Sequence, residues 1–269
     1  MAEPLVQIPM CTYNHEAYIA EAIKGVIKQK TNFKVELLIG EDASTDKTAQ
    51  IVNKYAEQFP NIIKPFYHKK NLGAKKNTLH LFYNITAKYI ALCDGDDYWT
   101  DPHKLQKQVE VMEADEELAM CFTNAWNING KQKKRYVERF GIENKNCYKA
   151  EDLIQNNFIP TASILYKKEL IHEIIATENY QKADIADWLL NYSMALCGKV
   201  YYVNKITAVR RVHKHGLIAG LDRLDLLNMK INTLDVIRSV TRNNELIKKI
   251  DIQLTIFRHR RFDILLGNG

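Results

Sequence analysis

Short apolar runs alternate with helical patterns through the first half of the chain. "LVQIPM" (5–10) has the pattern of a strand, and in the following "EAYIAEAIKGVIKQ" the positions Ile19, Ile23, Val26 and Ile27 recur at helical spacing. "VELLIG" (35–40) predicts a short buried strand, and "STDKTAQIVNKYAEQF" a helix capped by Ser44 or Thr45, with Ile51, Tyr55 and Phe59 on one face. "IIKPFYH" predicts a third strand, placed at a sheet edge by Pro65. A helix over "AKKNTLHLFYNI", a fourth strand over "KYIALCD", a helix over "PHKLQKQVEVMEA" with Pro102 near its start and a strand over "LAMCFTN" complete this half.

From about residue 127 the pattern breaks, and "NINGKQKKRYVERFGIENKNCY" has no clean period and reads as an excursion or mobile loop. Later come "ASILYKK", helices over "KELIHEIIA" and "ADWLLNYSMALCG", and two strands, "KVYYVN" and "ITAVRRVH". From Leu221 onward Leu224, Leu227, Ile231 and Leu234 keep helical spacing, which predicts an appended helical hairpin. The alternation implies an α/β fold: a Rossmann-like, mostly parallel sheet flanked by helices, with a subregion beyond it and a C-terminal helical extension. Its divisions fall at 1–125, 126–215 and 216–269.

Composition narrows the class. With 46% hydrophobic and 26% charged residues the 269-residue chain reads as an ordinary soluble globular protein. No stretch approaches the roughly 20 apolar residues that span a bilayer. The start, "MAEPLVQIPMC", has no basic segment and too short an apolar run for a signal peptide. Cysteines 11, 93, 121, 147 and 197 are odd in number and lack metal-binding spacing, which argues against structural zinc and for a reduced, cytoplasmic setting. The net charge of +6 is concentrated in "NGKQKKRYVER" and "FRHRRF". Such runs form solvated faces or attract anionic surfaces, and no nucleic-acid-binding motif accompanies them.

In an open parallel sheet, ligands bind beyond the carboxyl ends of the strands. That rule gathers Thr12, Tyr13 and Asn14, then Glu41 and Asp42, then Asn71 to Asn77, then Asp94 to Asp97 on one crevice. "DGDD" sets three carboxylates within four positions, a cost in repulsion unless a cation or positive side chains offset it. Oxygen ligands at Asp94 and Asp96 suit Mg²⁺ or Mn²⁺ with substrate phosphates completing the shell. Helix capping is the plainer role, and Asp101 before Pro102 fits it. After the second strand, Asp42, with Glu41 second, is placed to accept hydrogen bonds from a base or ribose.

"IPMCTYNHEAYIAEAI", "IGEDASTDKT", "NLGAKKN" and "YIALCDGDDYWTDPHKL", in that order and separation, resemble the family 2 inverting glycosyltransferases of the GT-A fold over residues 4–125. The resemblance implies that Cys11 and Tyr13 line a nucleotide, that Asp42 holds the base, and that Asp94 and Asp96 meet ribose and metal. Lys75 or Lys76 stands where the family often has Arg at the diphosphate, keeping the charge without the bidentate fork. In the second half the resemblance implies Asp187 as catalytic base, with Asp184 as competitor, and Arg211 and His213 as contacts to diphosphate or metal. Trp188 reads as core, and "IPTAS" resembles the segment under the acceptor.

The resemblance further implies transfer from a nucleotide-diphosphate sugar, UDP- or dTDP-linked, to a hydroxyl of a glycan or lipid-linked saccharide, with Mn²⁺ or Mg²⁺. The setting it suggests is the bacterial cytoplasm, with "FRHRRFDILLG" resting on the inner membrane face or packing as core. Oligomeric state is not indicated. Two rival readings are a nucleotidyltransferase, which would want a glycine-rich first loop absent from "CTYNHEAY", and a non-catalytic nucleotide-sugar-binding module.

Overall fold

The computed structural model describes residues 3–141, 145–214, 216 and 219–267; part of the predicted excursion (142–144) lies outside that range. The chain runs β1 (Val6–Thr12), α1 (Ile19–Ile27), β2 (Val35–Glu41), α2 (Thr48–Gln58), β3 (Ile63–Tyr67), α3 (Ala74–Tyr83), β4 (Tyr89–Ala91), β5 (Tyr98–Trp99), α4 (Lys104–Ala114) and β6 (Leu118–Asn129). It continues through β7 (Gln132–Arg135), β8 (Cys147–Tyr148), β9 (Leu165–Lys167), α5 (Lys168–Ile175), α6 (Glu178–Lys182), α7 (Ala186–Cys197), β10 (Lys199–Val212), α8 (Arg223–Val240) and α9 (Asn244–Leu265).

One sheet joins these strands in the order β3-β2-β1-β4-β9-β6-β10-β5, with β7 paired to β6 and β8 to β10. Its first four strands are parallel. Beyond them β9 runs antiparallel to both β4 and β6, β10 runs parallel to β6, and β5 closes antiparallel on β10. The chain lays β2 and β3 on one side of β1 and then β4 on the other. That reversal opens a crevice at the carboxyl ends of β1 and β4, where an open sheet accepts a ligand.

Helices cover both faces. Ile19 and Ile23 of α1, Val52 of α2, and Leu105 and Val109 of α4 pack with Val6, Ile8 and Met10 on one face. On the other, Phe82 of α3, Ile171 of α5, Trp188 and Tyr192 of α7 and Leu234 of α8 pack with Phe122 and Tyr202. Trp188 is core, as its type suggests, and its indole N–H donates to Leu153 O at 2.6 Å. Pro65 lies in the edge strand β3, which among the described residues pairs with β2 alone. The helical pattern after Leu221 is met by α8 and α9.

Four expectations need correction. The stretch from 127 is not a plain loop: β6 runs on to Asn129, turns at Gly130 (φ +57°) and returns as β7. All four residues of β7 are exposed, so backbone pairing holds it and no apolar alternation marks it. "KVYYVN" and "ITAVRRVH" are one strand, β10, whose pairing with β6 shifts register between Val203 and Ile206 and again before Ala208, so the polar Asn204–Lys205 pair sits in a bulge. The fourth strand is only three residues long. Neither Ser44 nor Thr45 caps α2: the Ser44 hydroxyl accepts the Asn14 amide at 3.0 Å, and Asp46 Oδ1 accepts the Thr48 amide at 2.9 Å.

Candidate active site

The turn after β4 is the floor of the crevice. Gly95 N donates to Cys11 O at 2.9 Å, bringing the loops after β1 and β4 into contact. A β-carbon on Gly95 would stand 2.7 Å from Thr12 Oγ1 and 3.0 Å from His15 Nδ1, so only glycine permits the approach. Gly95→Ala is accordingly expected to cost about 1–3 kcal/mol of stability. Urea unfolding measures it, and an unchanged midpoint would show that Thr12 and His15 can yield.

Beyond Gly95 the acidic side chains find partners on β10. Asp96 Oδ2 lies 3.0 Å from His213 Nε2, and buried Asp97 accepts the Arg211 amide at 2.9 Å. The Arg211 guanidinium donates to Asp96 O at 2.6 Å and to the Glu21 carboxylate, and stacks over Tyr98 at 4.3 Å. A donor atom from each of His15, Asp96 and His213 lies within 4.8 Å of the other two. An oxygen and a nitrogen 3.0 Å apart match adjacent ligands of an octahedral ion with bonds of about 2.1 Å. Asp96 and His213 therefore fit the divalent ion that the resemblance implies.

Near enough to Asp94 for its charge to act on that carboxyl stands Asp187, in the first turn of α7. Its Oδ2 accepts from Asn157 Nδ2 at 3.1 Å and from Thr161 Oγ1 at 3.2 Å. Burial pushes its carboxyl above the usual range, opposed by the Thr161 hydroxyl, the helix amides and Arg210. Asp94 is pushed up to about 7 by burial first, then by the negative charges of Asp96 and Asp187. Asp97 is raised by burial and by Asp96. Arg210 opposes the shift in all three carboxyls, and Asn127 Oδ1 tethers its guanidinium at 2.9 Å. The repulsion among the carboxylates is thus offset in part by the charge of Arg210 and, at Asp97, by the Arg211 amide, and Asp94 stays raised.

The model of glycosyl transferase family 2 matches residues 8–175. The chain belongs to that family. An uncharacterized protein of Mycobacterium tuberculosis is 33% identical over 214 residues, which are 79% of this chain and 60% of that one. The chain thus spans about 60% of the length of the first curated relatives it matches. A dTDP-rhamnosyl transferase of Shigella flexneri is 28% identical over 78% of this chain and 74% of its own. Among solved structures, S. aureus TarS in complex with UDP-GlcNAc superposes with a TM-score of 0.71 at 18% identity, over 96% of this chain and 72% of that one. The Pyrobaculum calidifontis mannosyltransferase in complex with GDP-Man and Mn²⁺ gives 0.65 at 16% identity, over 96% and 70%. Both likenesses establish the GT-A fold.

Within this family 2 fold the other sequence candidates sit around the same crevice. Asp42 is buried, and its two oxygens accept the amides of Leu72 at 2.7 Å and Gly73 at 3.0 Å, shaping the loop that leads into α3. Buried Glu41 accepts the Ser44 amide at 2.9 Å. Cys11 Sγ lies 3.2 Å from the Thr78 hydroxyl, and burial, reinforced by Asp94, pushes its thiol up. Tyr13 is exposed at the rim. Lys75 Nζ donates to Gln181 O at 2.9 Å and Ala183 O at 2.7 Å, tying α3 to the segment before α7, whereas Lys76 is exposed. Asp184 is exposed, with its amide on Asn232 Oδ1 at 3.0 Å.

Sequence reasoning passed over His15, Asn157 and Arg210. His15 lies one residue beyond the post-strand set that was gathered. Arg210 and Arg211 are neighbours on a strand and so point to opposite faces. Arg211 meets Glu21 of α1, and Arg210 turns toward Asn127 and the α7 side. The alternation rule, applied to "VRRVH", was the available signal.

Proposed function

We propose that this glycosyltransferase moves a sugar from a UDP- or dTDP-linked donor to a hydroxyl of a glycan or lipid-linked saccharide, by a single inverting displacement with Mn²⁺ or Mg²⁺. The observation that carries the reading is Asp187: a carboxyl at the start of α7, gripped by Thr161 and Asn157, whose charge raises Asp94 at the end of β4. A base and a donor floor on opposite sides of one crevice are what in-line displacement requires. The similarity to a Shigella dTDP-rhamnosyl transferase and the UDP-GlcNAc bound by the staphylococcal structural neighbour support the choice of donor nucleotides.

In this reading residues 1–125 hold the donor and 126–215 supply the acceptor side and the base, with 216–269 as a helical extension. Cys11 and Tyr13 line the nucleotide, and Asp42, with Glu41 beside it, shapes the base pocket. Asp94 accepts from a ribose hydroxyl. Lys76 meets the diphosphate, since Lys75 already spends two of its donors on carbonyls. Arg211 holds Asp96 and Asp97 in place beside the diphosphate. Asp96 and His213 would hold a divalent ion, which when bound would stabilise negative charge on the leaving phosphate. Asp187 takes the proton of the attacking hydroxyl, while Thr161 and Asn157 fix its orientation and Arg210 limits the rise in its proton affinity.

The test is direct. The full chain is screened by thermal shift with UDP and dTDP plus Mn²⁺, then incubated with the matching sugar donor and a lipid-linked saccharide. Transfer with inverted anomeric configuration is expected. Binding without transfer would favour the non-catalytic module, and a retained configuration would exclude Asp187 as base in a single displacement.

No described helix is long and apolar enough to cross a membrane. We place the enzyme in the cytoplasm, at the inner membrane face, through α9: Ile252, Ile256, Phe262, Leu265 and Leu266 are exposed among Arg258, Arg260 and Arg261. Phe262→Ser with Leu265→Ser should weaken sedimentation with anionic phospholipid vesicles about tenfold. Equal sedimentation of variant and parent removes this docking role.

A further inference from the structure

The loop after β1 brings a third metal-binding side chain into the crevice. His15 Nδ1 lies 3.2 Å from the Thr12 hydroxyl, a contact that orients the ring. The ring stands edge-on to that of His213, with centroids 6.1 Å apart and planes at 88°, and Tyr18 packs against both, 6.3 Å from His15 and 4.7 Å from His213. The donor atoms of His15, Asp96 and His213 span no more than 4.8 Å. Ligands of one octahedral ion with bonds of about 2.1 Å stand roughly 3.0 Å apart when adjacent and about 4.2 Å when opposed. The 4.8 Å bound exceeds the opposed distance by at most about 0.6 Å, an adjustment that a small rotation of one side chain supplies, so the three atoms can meet at a single ion. An independent feature keeps His15 at that reach: Gly95, within the acidic turn itself, has no side chain, and a β-carbon there would stand 3.0 Å from His15 Nδ1.

We propose that His15 is a third protein ligand of the divalent ion, and that its set of two imidazoles and one carboxylate makes this protein select a transition ion such as Mn²⁺ over Mg²⁺. The inference rests on the reading of Asp96 and His213 as the ion's other ligands. Oxygen-only sites suit Mg²⁺, which sheds water reluctantly, whereas imidazole nitrogen favours first-row transition ions. The acidic turn alone offers oxygen ligands and would leave the choice open. The two histidines come from elsewhere: His15 from the β1 loop and His213 from the end of β10. A bound ion thus pins three strand ends together, and the substrate's phosphate oxygens and water complete its shell.

The experiment titrates the full chain with Mn²⁺ alone, following the free ion by electron paramagnetic resonance, and then competes with Mg²⁺. Wild type is expected to prefer Mn²⁺ by about tenfold or more. His15→Gln should lose at least about tenfold in Mn²⁺ affinity and much of that preference. Pulsed resonance on wild type should resolve two directly bound imidazole nitrogens, falling to one in His15→Gln. A wild-type spectrum with a single bound imidazole overturns the proposal without recourse to a variant that must fold. Unchanged affinity in His15→Gln alongside a loss in Asp96→Ala and His213→Gln removes His15 only. Unchanged affinity in all three variants removes the parent reading of the metal site as well.

Discussion

Asp187→Asn is expected to lower kcat by about 10²- to 10⁴-fold while nucleotide affinity stays within about twofold. Asparagine keeps the shape and one oxygen to accept from Thr161 or Asn157, so the pocket persists and only the proton acceptor is lost. Stability should not explain the loss. A carboxyl whose pKa is raised in the folded state costs stability as pH climbs past the unfolded-state value, in full once pH exceeds the raised one, and the neutral amide removes the cost. The melting point of the variant at neutral pH should equal or exceed that of wild type. The same shift sets a pH signature. Burial raises Asp187, so the wild-type kcat should fall on acidification through a pKa above the ordinary aspartate range, and the residual rate of the variant should lack that limb. Asp184→Asn, at an exposed position, should leave kcat near wild type. Near-normal turnover in Asp187→Asn would end the assignment.

Asp96→Ala is expected to abolish the part of nucleotide binding that depends on the metal. Calorimetry with UDP or dTDP should show wild-type affinity rising by about tenfold or more when Mn²⁺ is added. The variant should bind the nucleotide equally with and without the ion, since His213 then loses the oxygen 3.0 Å from its Nε2. The base pocket proposed at Asp42 rests on a carboxylate held by the amides of Leu72 and Gly73 and does not depend on Asp96, so metal-free affinity should be preserved. An Asp96→Ala protein whose affinity still responds to Mn²⁺ would place the ion elsewhere.

Much of the crevice was legible in advance because strand ends are local facts. An apolar run that stops at Met10, Gly40 or Leu92 announces its own carboxyl end, and the polar residues that follow must project beyond the sheet. Asp42, Asp94 and Asp96 were found that way, with the resemblance attaching roles to them. What failed was equally physical. The strand β7 has no buried face, so no periodicity reveals it, and the bulged centre of β10 interrupts an alternation that the backbone carries through. Lys104 shows the same limit within a correctly predicted helix. It is fully buried, donates to Gln108 Oε1 at 2.6 Å and lies 4.3 Å from the Trp99 ring centroid, and burial pushes its amine down to about 7. Nothing in "PHKLQKQ" separates that lysine from its solvated neighbours.

By itself the sequence determined the first four parallel strands and their covering helices, the crevice at the strand ends and the acidic turn, because each is encoded within a few neighbouring residues. The tertiary structure alone decided which side chains answer those acids. His15, Arg210, Arg211 and His213 reach Asp94, Asp96, Asp97 and Asp187 from strands and loops remote in the chain. Such pairings depend on sheet order and strand register, and non-local contacts of that kind leave no mark on local composition or period.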